Sequence, residues 1–477
     1  MSRTALRSSL AALAALAIAA PAATAASRPS VPTARYVLAV APGFNVTALP
    51  PVVVVRQRLD AVHALVVQAP VGAVSWLISL PGVVGVSPDR ALHVTGDDSP
   101  SSGGVYGPAG IGGGAGKKKA GAGIGVALLD TGVADTAALS RSNGNLVSGP
   151  NYSGDTSGTR DGYGHGTFMA DLIAGSQVNE HPVGVAPAAT VVDVKVAASD
   201  GSTNLSNVLS GMDWVAKNAG QVQVLSLSLS ATRPQDAFGR DPLTEGADAV
   251  RNAGVVVVVS AGNDPTTVGD PGQDPYLMTV GAANTLNDPF TAPFSGHAVV
   301  QRLLRPDLVA PGVSILSMLP PKSAIALAHR SAAAGHGLYR GSGTSQATAL
   351  TAGAVAVFLS KHSGLSPDDV RVSFAKAAQP LNDAAGAGLI TIPSSVSLAS
   401  DNASSGAGGA GSSSDSAGDP STSASSWSAS SWSASSWSAS SWSASSWSAS
   451  SWSASSWSAS SWSASSWSAS SWSSVEW

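Results

Sequence analysis

Gly125-Val126-Ala127-Leu128-Leu129-Asp130-Thr131-Gly132 is the stretch that decides the architecture: a short apolar run that ends on a carboxylate and a turn. Three more such runs follow, at 191–196, 222–229 and 255–259, the last being five consecutive valines. Continuous β-branched runs of this length mark strands buried on both faces, and helix-length amphipathic stretches lie between them. The expected fold is therefore α/β, a parallel sheet covered by helices on both faces. Helices are predicted over 166–174, 204–218, 243–252 and 345–361. A further one opens at Ser366-Pro367-Asp368-Asp369, with Ser as cap, Pro at the first helical position and acids in the first turn.

The flanks differ in kind from this middle. Arg3 and Arg7 precede an apolar run from Leu10 to about Ala20 and the small-residue stretch Ala23-Thr24-Ala25, which reads as a secretory signal peptide over 1–25 and predicts an exported, extracellular or cell-surface protein. Residues 34–95 alternate strand runs (36–40, 52–55, 64–68 and 83–94) with one helix over 71–80, a small α+β unit. Residues 96–123 are rich in Gly, Ser and Ala and carry Lys117-Lys118-Lys119. They read as a mobile linker. The large α/β unit is expected over 124–400. Beyond it, 401–477 is Ser, Ala and Gly that becomes a Ser-Ala-Ser-Ser-Trp pentad holding eleven of the 13 tryptophans. Five residues advance a helix by about 500°, and an odd spacing alternates the faces of a strand, so neither geometry gives one apolar stripe. The tail reads as disordered, either carrying weak aromatic contacts to a cell wall or other polymer or having no selected role.

The 477 residues are 44% hydrophobic and 11% charged, enough to bury a large core, and the net charge of -4 leaves no footprint for nucleic acid. With no cysteine, thiol chemistry and disulfide stapling are excluded.

Asp130 falls at the carboxyl end of a predicted strand, the edge where open α/β sheets place their sites, although Asp-Thr-Gly is also an ordinary turn sequence. His165 lies between two glycines ahead of a helix, where neighbouring backbone can approach the imidazole closely. Ser345 follows Gly343-Thr344 and opens the most Ala-rich helix, either as a cap or as a nucleophile facing the positive end of the helix dipole. Asn263 follows the valine strand and Ser260-Ala261-Gly262, and its amide can donate to an oxyanion.

Taken together and in this order, Asp130-Thr131-Gly132, His165-Gly166-Thr167, Ser260-Ala261-Gly262-Asn263 and Gly343-Thr344-Ser345 resemble the motifs of the subtilisin-like serine peptidases, over roughly 124–400. The resemblance implies a serine endopeptidase with Asp130, His165 and Ser345 as triad and Asn263 in the oxyanion hole. It also implies a protein or peptide substrate lying along Ser228, Leu229, Ser230, Ala261 and Gly262. Leu80-Pro81-Gly82-Val83-Val84-Gly85-Val86-Ser87-Pro88-Asp89 resembles the family's inhibitory propeptide, which implies a precursor whose own segment occupies the site and is cut between His93 and Gly104. Leu139 and Val178 stand where oxygen ligands of the family's strong calcium site are expected, so no metal and no cofactor is predicted there. Asp171 departs from the small residue usual in the histidine helix, and is expected to alter the packing behind the imidazole.

Overall fold

The computed structural model describes residues 32–93 and 111–399, apart from 157–159, 180–183, 230, 232–237, 286–287, 301 and 382–385, together with short strands between 421 and 474. The signal-peptide reading and the whole span 94–110 lie outside the described residues.

The N-terminal unit consists of β1 (Thr33–Val40), β2 (Val54–Leu59), β3 (Ala64–Pro70), α1 (Val74–Leu77), β4 (Val83–Pro88) and β5 (Ala91–His93). The helix expected over 71–80 is only four residues long, because β-branched Val71, Gly72 and Pro81-Gly82 confine it from both ends. The strand expected over 83–94 breaks at Asp89-Arg90, whose side chains turn to the large unit.

That unit follows with β6 (Gly125–Asp130), β7 (Leu146–Asn151), α2 (His165–Ala174), β8 (Thr190–Lys195), β9 (Ser202–Asn204), α3 (Leu205–Lys217), β10 (Val224–Leu227), β11 (Phe238–Gly239), α4 (Pro242–Asn252) and β12 (Val256–Ser260). Then come β13 (Met278–Asn284), β14 (Phe290–Thr291), β15 (Ala298–Val300), β16 (Leu303–Arg305), β17 (Leu308–Pro311), β18 (Ile315–Met318), α5 (Ala324–Ala328), β19 (Ala333–Gly335), β20 (Leu338–Gly341), α6 (Thr344–Leu359) and α7 (Pro367–Ala377). The main sheet runs β14-β13-β12-β10-β6-β8-β7 with β17 also on β13, and every pairing except that of β14 is parallel. The α/β expectation is met.

Alternation along each strand divides the core. Val126, Leu128, Val224, Val256 and Val258 pack with α2 and α6, whereas Ala127, Leu129, Leu225, Leu227, Val257 and Val259 pack with α3 and α4. All sixteen residues of α6 are buried. Only small side chains let a helix pass so closely between sheet and neighbouring helix, which accounts for its alanines. Ser366 caps α7 in a full capping box with Asp369.

Two boundaries differ from expectation. Residues 111–123 are not a linker: Ile111, Ala115 and Ala120 are in the main core, Gly116 N donates to Val185 O at 2.7 Å, and Ile392 N donates to Ile111 O at 3.1 Å. Glycines that read as flexibility serve a chain of tight turns. The tail is not without regular structure either: three-residue strands pair in parallel with the pentad twenty residues on, Trp427 with Trp447 and Trp447 with Trp467. A ladder that closes every fourth pentad needs no single apolar stripe, which is why helix and strand periodicities alone missed it.

Candidate active site

The site forms at the carboxyl ends of β6 and β12 and at the N-termini of α2 and α6. Asp130 ends β6, His165 opens α2, and both are buried. His165 Nδ1 lies 2.8 Å from Asp130 Oδ1 and 2.9 Å from Oδ2. Two glycines make this approach feasible. Gly132 has φ +99°, and a Cβ there would run into the Arg160 carbonyl. A Cβ on Gly166 would collide with the Gly132 carbonyl and sit 3.2 Å from Asp130 Cβ.

One residue that the sequence reading passed over holds these two segments together. Asp161 Oδ1 accepts from Thr131 Oγ1 at 2.9 Å and Gly164 N at 2.7 Å, and Oδ2 accepts from Thr167 N at 2.8 Å and Thr167 Oγ1 at 2.6 Å. Thr131 Oγ1 in turn accepts from Gly166 N at 2.9 Å. A single buried carboxylate therefore ties the residue after Asp130 to the residues on both sides of His165. Burial raises its pKa while the four donors pull it back. In sequence it is masked, because Arg160-Asp161-Gly162 looks like any polar turn.

Ser345 is the second residue of α6, preceded by Gly343 at φ +153°. Asn263 Oδ1 accepts from Thr344 N at 3.0 Å and Thr344 Oγ1 at 2.9 Å, which leaves its N–H donors as the free end of the amide beside Ser345. Ser228 Oγ donates to the Ser345 carbonyl at 3.4 Å. The hydrogen bonds thus join Asp130 to His165, and Asn263 and Ser228 to Thr344 and Ser345 at the head of α6. The Leu229 side chain lies in the core against α3 and α4, since strand alternation sends it to the face opposite Ser228, so Leu229 can meet a substrate through its backbone alone. Ala261 and Gly262 are buried, their carbonyls accepting from Gly269 N at 3.4 Å and Gly296 N at 2.8 Å, and Ser230 lies outside the described residues.

Asp171 does not pack behind the imidazole. It sits almost two turns along α2, fully buried, with Oδ1 accepting from Thr136 Oγ1 at 3.0 Å; that hydroxyl organises the turn 136–139. Asp171 Oδ2 has no hydrogen-bond partner among the described residues, and burial holds the carboxyl well above its ordinary pKa. Leu139 is packed in the main core, and Val178 packs with Ala138, Leu316, Met318 and Leu338.

The N-terminal unit is docked on α3 and α4. β4 pairs antiparallel with β11, and β5 pairs antiparallel with β9, matching Leu92 to Thr203. Asp89 accepts from Ser206 N and Ser206 Oγ, both at 2.9 Å, in the first turn of α3, while Asp213 Oδ1 accepts from Ala61 N at 2.8 Å. Arg90 makes a two-pronged pair with Asp241, at 3.0 and 2.9 Å, and also donates to Ser87 Oγ at 2.8 Å. The edge strand β9 was not singled out from sequence; three polar residues ahead of a helix carry no strand signal.

A parallel α/β sheet with a buried Asp–His pair and a serine at the head of a buried helix defines a hydrolase-type site of the Asp, His, Ser order. The chain belongs to the Subtilase family, whose family model matches residues 121–411. Serine protease AprX of Bacillus subtilis (strain 168) is 32% identical over 273 residues, covering 54% of this chain and 61% of that protein. Subtilisin DY of Bacillus licheniformis is 31% identical over 279 residues, covering 57% of this chain and 90% of that protein. Among solved structures, fervidolysin from Fervidobacterium pennivorans, a keratinolytic enzyme related to subtilisin, superposes with a TM-score of 0.60 at 21% identity, over 76% of this chain and 61% of that one, and shows the shared fold.

Proposed function

We propose that the chain is a secreted serine endopeptidase that hydrolyses peptide bonds through an acyl-enzyme on Ser345 and is made as a self-inhibited precursor. The observation that carries the catalytic reading is the buried Asp130–His165 pair, together with Asn263 held by Thr344, the residue before Ser345. A neutral hydroxyl is a poor nucleophile near pH 7 and needs an adjacent base. His165 takes the Ser345 proton and returns it to the leaving amine, and Asp130 fixes the imidazole tautomer. Asn263 and the Ser345 N–H receive the oxyanion. Casein hydrolysis that is blocked by a fluorophosphonate and absent in Ser345→Ala is the expected result. A chain that neither labels at Ser345 nor cleaves casein would instead be a peptidase-like binding scaffold.

Self-inhibition is supported by β5 lying along β9 and by Arg90 and Asp89 on α4 and α3. A Ser345→Ala chain is expected to keep residues 34–93 attached while the wild type loses them. Trimming in both chains would sink this part. Contact with a cell wall or other polymer through 401–477 is proposed from the repeated Trp alone. Removing residues after 400 is expected to abolish adsorption while hydrolysis persists.

A further inference from the structure

The tail carries a surface made by its own repetition. Eleven short strands between Ser421 and Ser474 fall into four parallel ladders, each strand pairing with the one four pentads on. Ser421–Ala424, Trp427–Ala429, Trp432–Ala434 and Trp437–Ala439 start the ladders in turn. Trp457–Ala459, Trp462–Ala464, Trp467–Ala469 and Trp472–Ser474 finish them. Among the described residues, each starting strand is paired only on its later side and each finishing strand only on its earlier side. Four strand edges are thus left at either end of the stack. Such edges are ordinarily blunted by Lys, Pro, a bulge or a capping element. Residues 421–474 are Ser, Thr, Ala and Trp alone, and the ladders run without a register shift.

The two ends are complementary because the repeat is uniform. Trp427-Ser428-Ala429 pairs residue for residue with Trp447-Ser448-Ala449, a strand identical to itself. A finishing strand therefore offers a starting strand the same partner that it meets inside the chain. We infer that the tail stacks end to end on the tail of a second copy of this chain. Trp457–Ala459 takes Ser421–Ala424 of the next copy, and Trp462–Ala464, Trp467–Ala469 and Trp472–Ser474 take that copy's next three strands in order. A head-to-tail contact of this kind does not close on itself, so it propagates into a filament. Eleven strands on four ladders make each copy start one ladder back from the last, a quarter turn. The same orientation then recurs after four copies and eleven coils, about 53 Å at about 4.8 Å per coil. The large unit is about 50 Å across. Successive peptidase domains therefore project in different directions and have room. The pairing is made by backbone edges and is independent of any contact between the tryptophans and another polymer.

Sedimentation of the full chain tests this, with Ser345→Ala so that it does not cut itself. Expected are polymers that grow with concentration without a limiting size. Electron microscopy should show unbranched filaments with a rise of about 13 Å per copy, and diffraction a reflection at about 4.8 Å along the filament axis. The same chain ended at residue 400 is expected to stay monomeric. Ser463→Lys, Ser468→Lys and Ser473→Lys together put unmatched charge on the finishing strands; Ser428→Asp, Ser433→Asp and Ser438→Asp do so on the starting strands. Either triple variant alone is expected to lose the polymers. Mixed, the two are expected to polymerise again, because 463, 468 and 473 of one copy lie opposite 428, 433 and 438 of the next, and opposite charges pair across strands. Recovery on mixing separates end-to-end pairing from a general gain in solubility. A chain that is monomeric at every concentration overturns the inference, even where its tail holds it on an insoluble polysaccharide. Polymers that persist in either triple variant, or that do not return on mixing, overturn it as well.

Discussion

At the scale of single residues, two buried carboxylates act on the site in opposite senses. Asp161 is fully hydrogen-bonded, and its role is positioning: it joins the Asp130 and His165 segments without touching substrate. Asp161→Asn turns an N–H toward donors on Thr131, Gly164 or Thr167, so the two segments shift. Displacements near 1 Å are worth about 10²-fold in turnover. The expected outcome is a kcat lowered by roughly that factor with KM little changed, measured beside a pH–rate profile whose lower limb moves, since a buried charge near His165 has gone. An unchanged profile with loss only of thermal stability would reduce Asp161 to a scaffold residue. Asp171 is half-paired. Its folded pKa lies above the unfolded one, so below about pH 4 both states are protonated and no penalty exists; as pH rises, the unfolded state ionises first and stability is lost. Asp171→Asn removes that loss. Its melting temperature is expected to exceed the wild type at pH 8 and to converge with it near pH 4. A constant difference across that range would contradict this account. Asp193, pushed up to about 6, and Asp248, to about 7, add to the same wild-type slope, so only the difference between variant and wild type isolates Asp171.

At the scale of elements, the long strands and helices of the large unit were legible because burial on both faces leaves a mark in composition: β6, β12, α4 and α6 lie within one or two residues of expectation. What was not legible depends on partners far along the chain. β9 is a strand only because β5 lies on it, and the turns at 111–123 are ordered only because Val185 and Ile392 receive them. The Asp130–His165 pair was legible as residue types in order, but the inward turn of the Leu229 side chain was not, and Asp161 was missed. A strand's alternation and a carboxylate's donors are facts of three dimensions. The packing of α2 on β6 gives a sharp check. Gly166→Ala places a methyl against the Gly132 carbonyl and Asp130, and over-packing of this kind costs about 1–3 kcal/mol. Because the helix start must retreat from Asp130, activity is expected to fall at least tenfold more than the stability loss explains. Full activity in a folded Gly166→Ala chain would show that the Asp130–His165 distance tolerates the shift.

At the scale of the whole molecule, the N-terminal unit and the peptidase domain are held by strand pairing, helix-terminus contacts and one buried ion pair, and these respond differently to perturbation. Arg90 and Asp241 are 10% and 4% exposed at their side chains, so salt screens them little. Asp241 lies at the start of α4 but makes no cap there, its carboxylate being turned wholly to Arg90. Removing one partner of such a pair leaves a buried uncompensated charge, which costs about 3–5 kcal/mol, equivalent to roughly 10²- to 10⁴-fold in affinity. Residues 34–93 supplied as a separate chain are therefore expected to inhibit the processed enzyme that much less well when they carry Arg90→Ala. Asp241→Asn in the enzyme should produce a similar loss, and the two changes together should cost less than their sum, because each removes the partner the other left stranded. Raising the salt from 0.15 to 1 M is expected to change the inhibition by less than about threefold, whereas an exposed pair such as Arg58–Asp60 would be silenced. Equal inhibition by the wild-type and Arg90→Ala segments would mean that the β4–β11 and β5–β9 pairings alone hold the two units together.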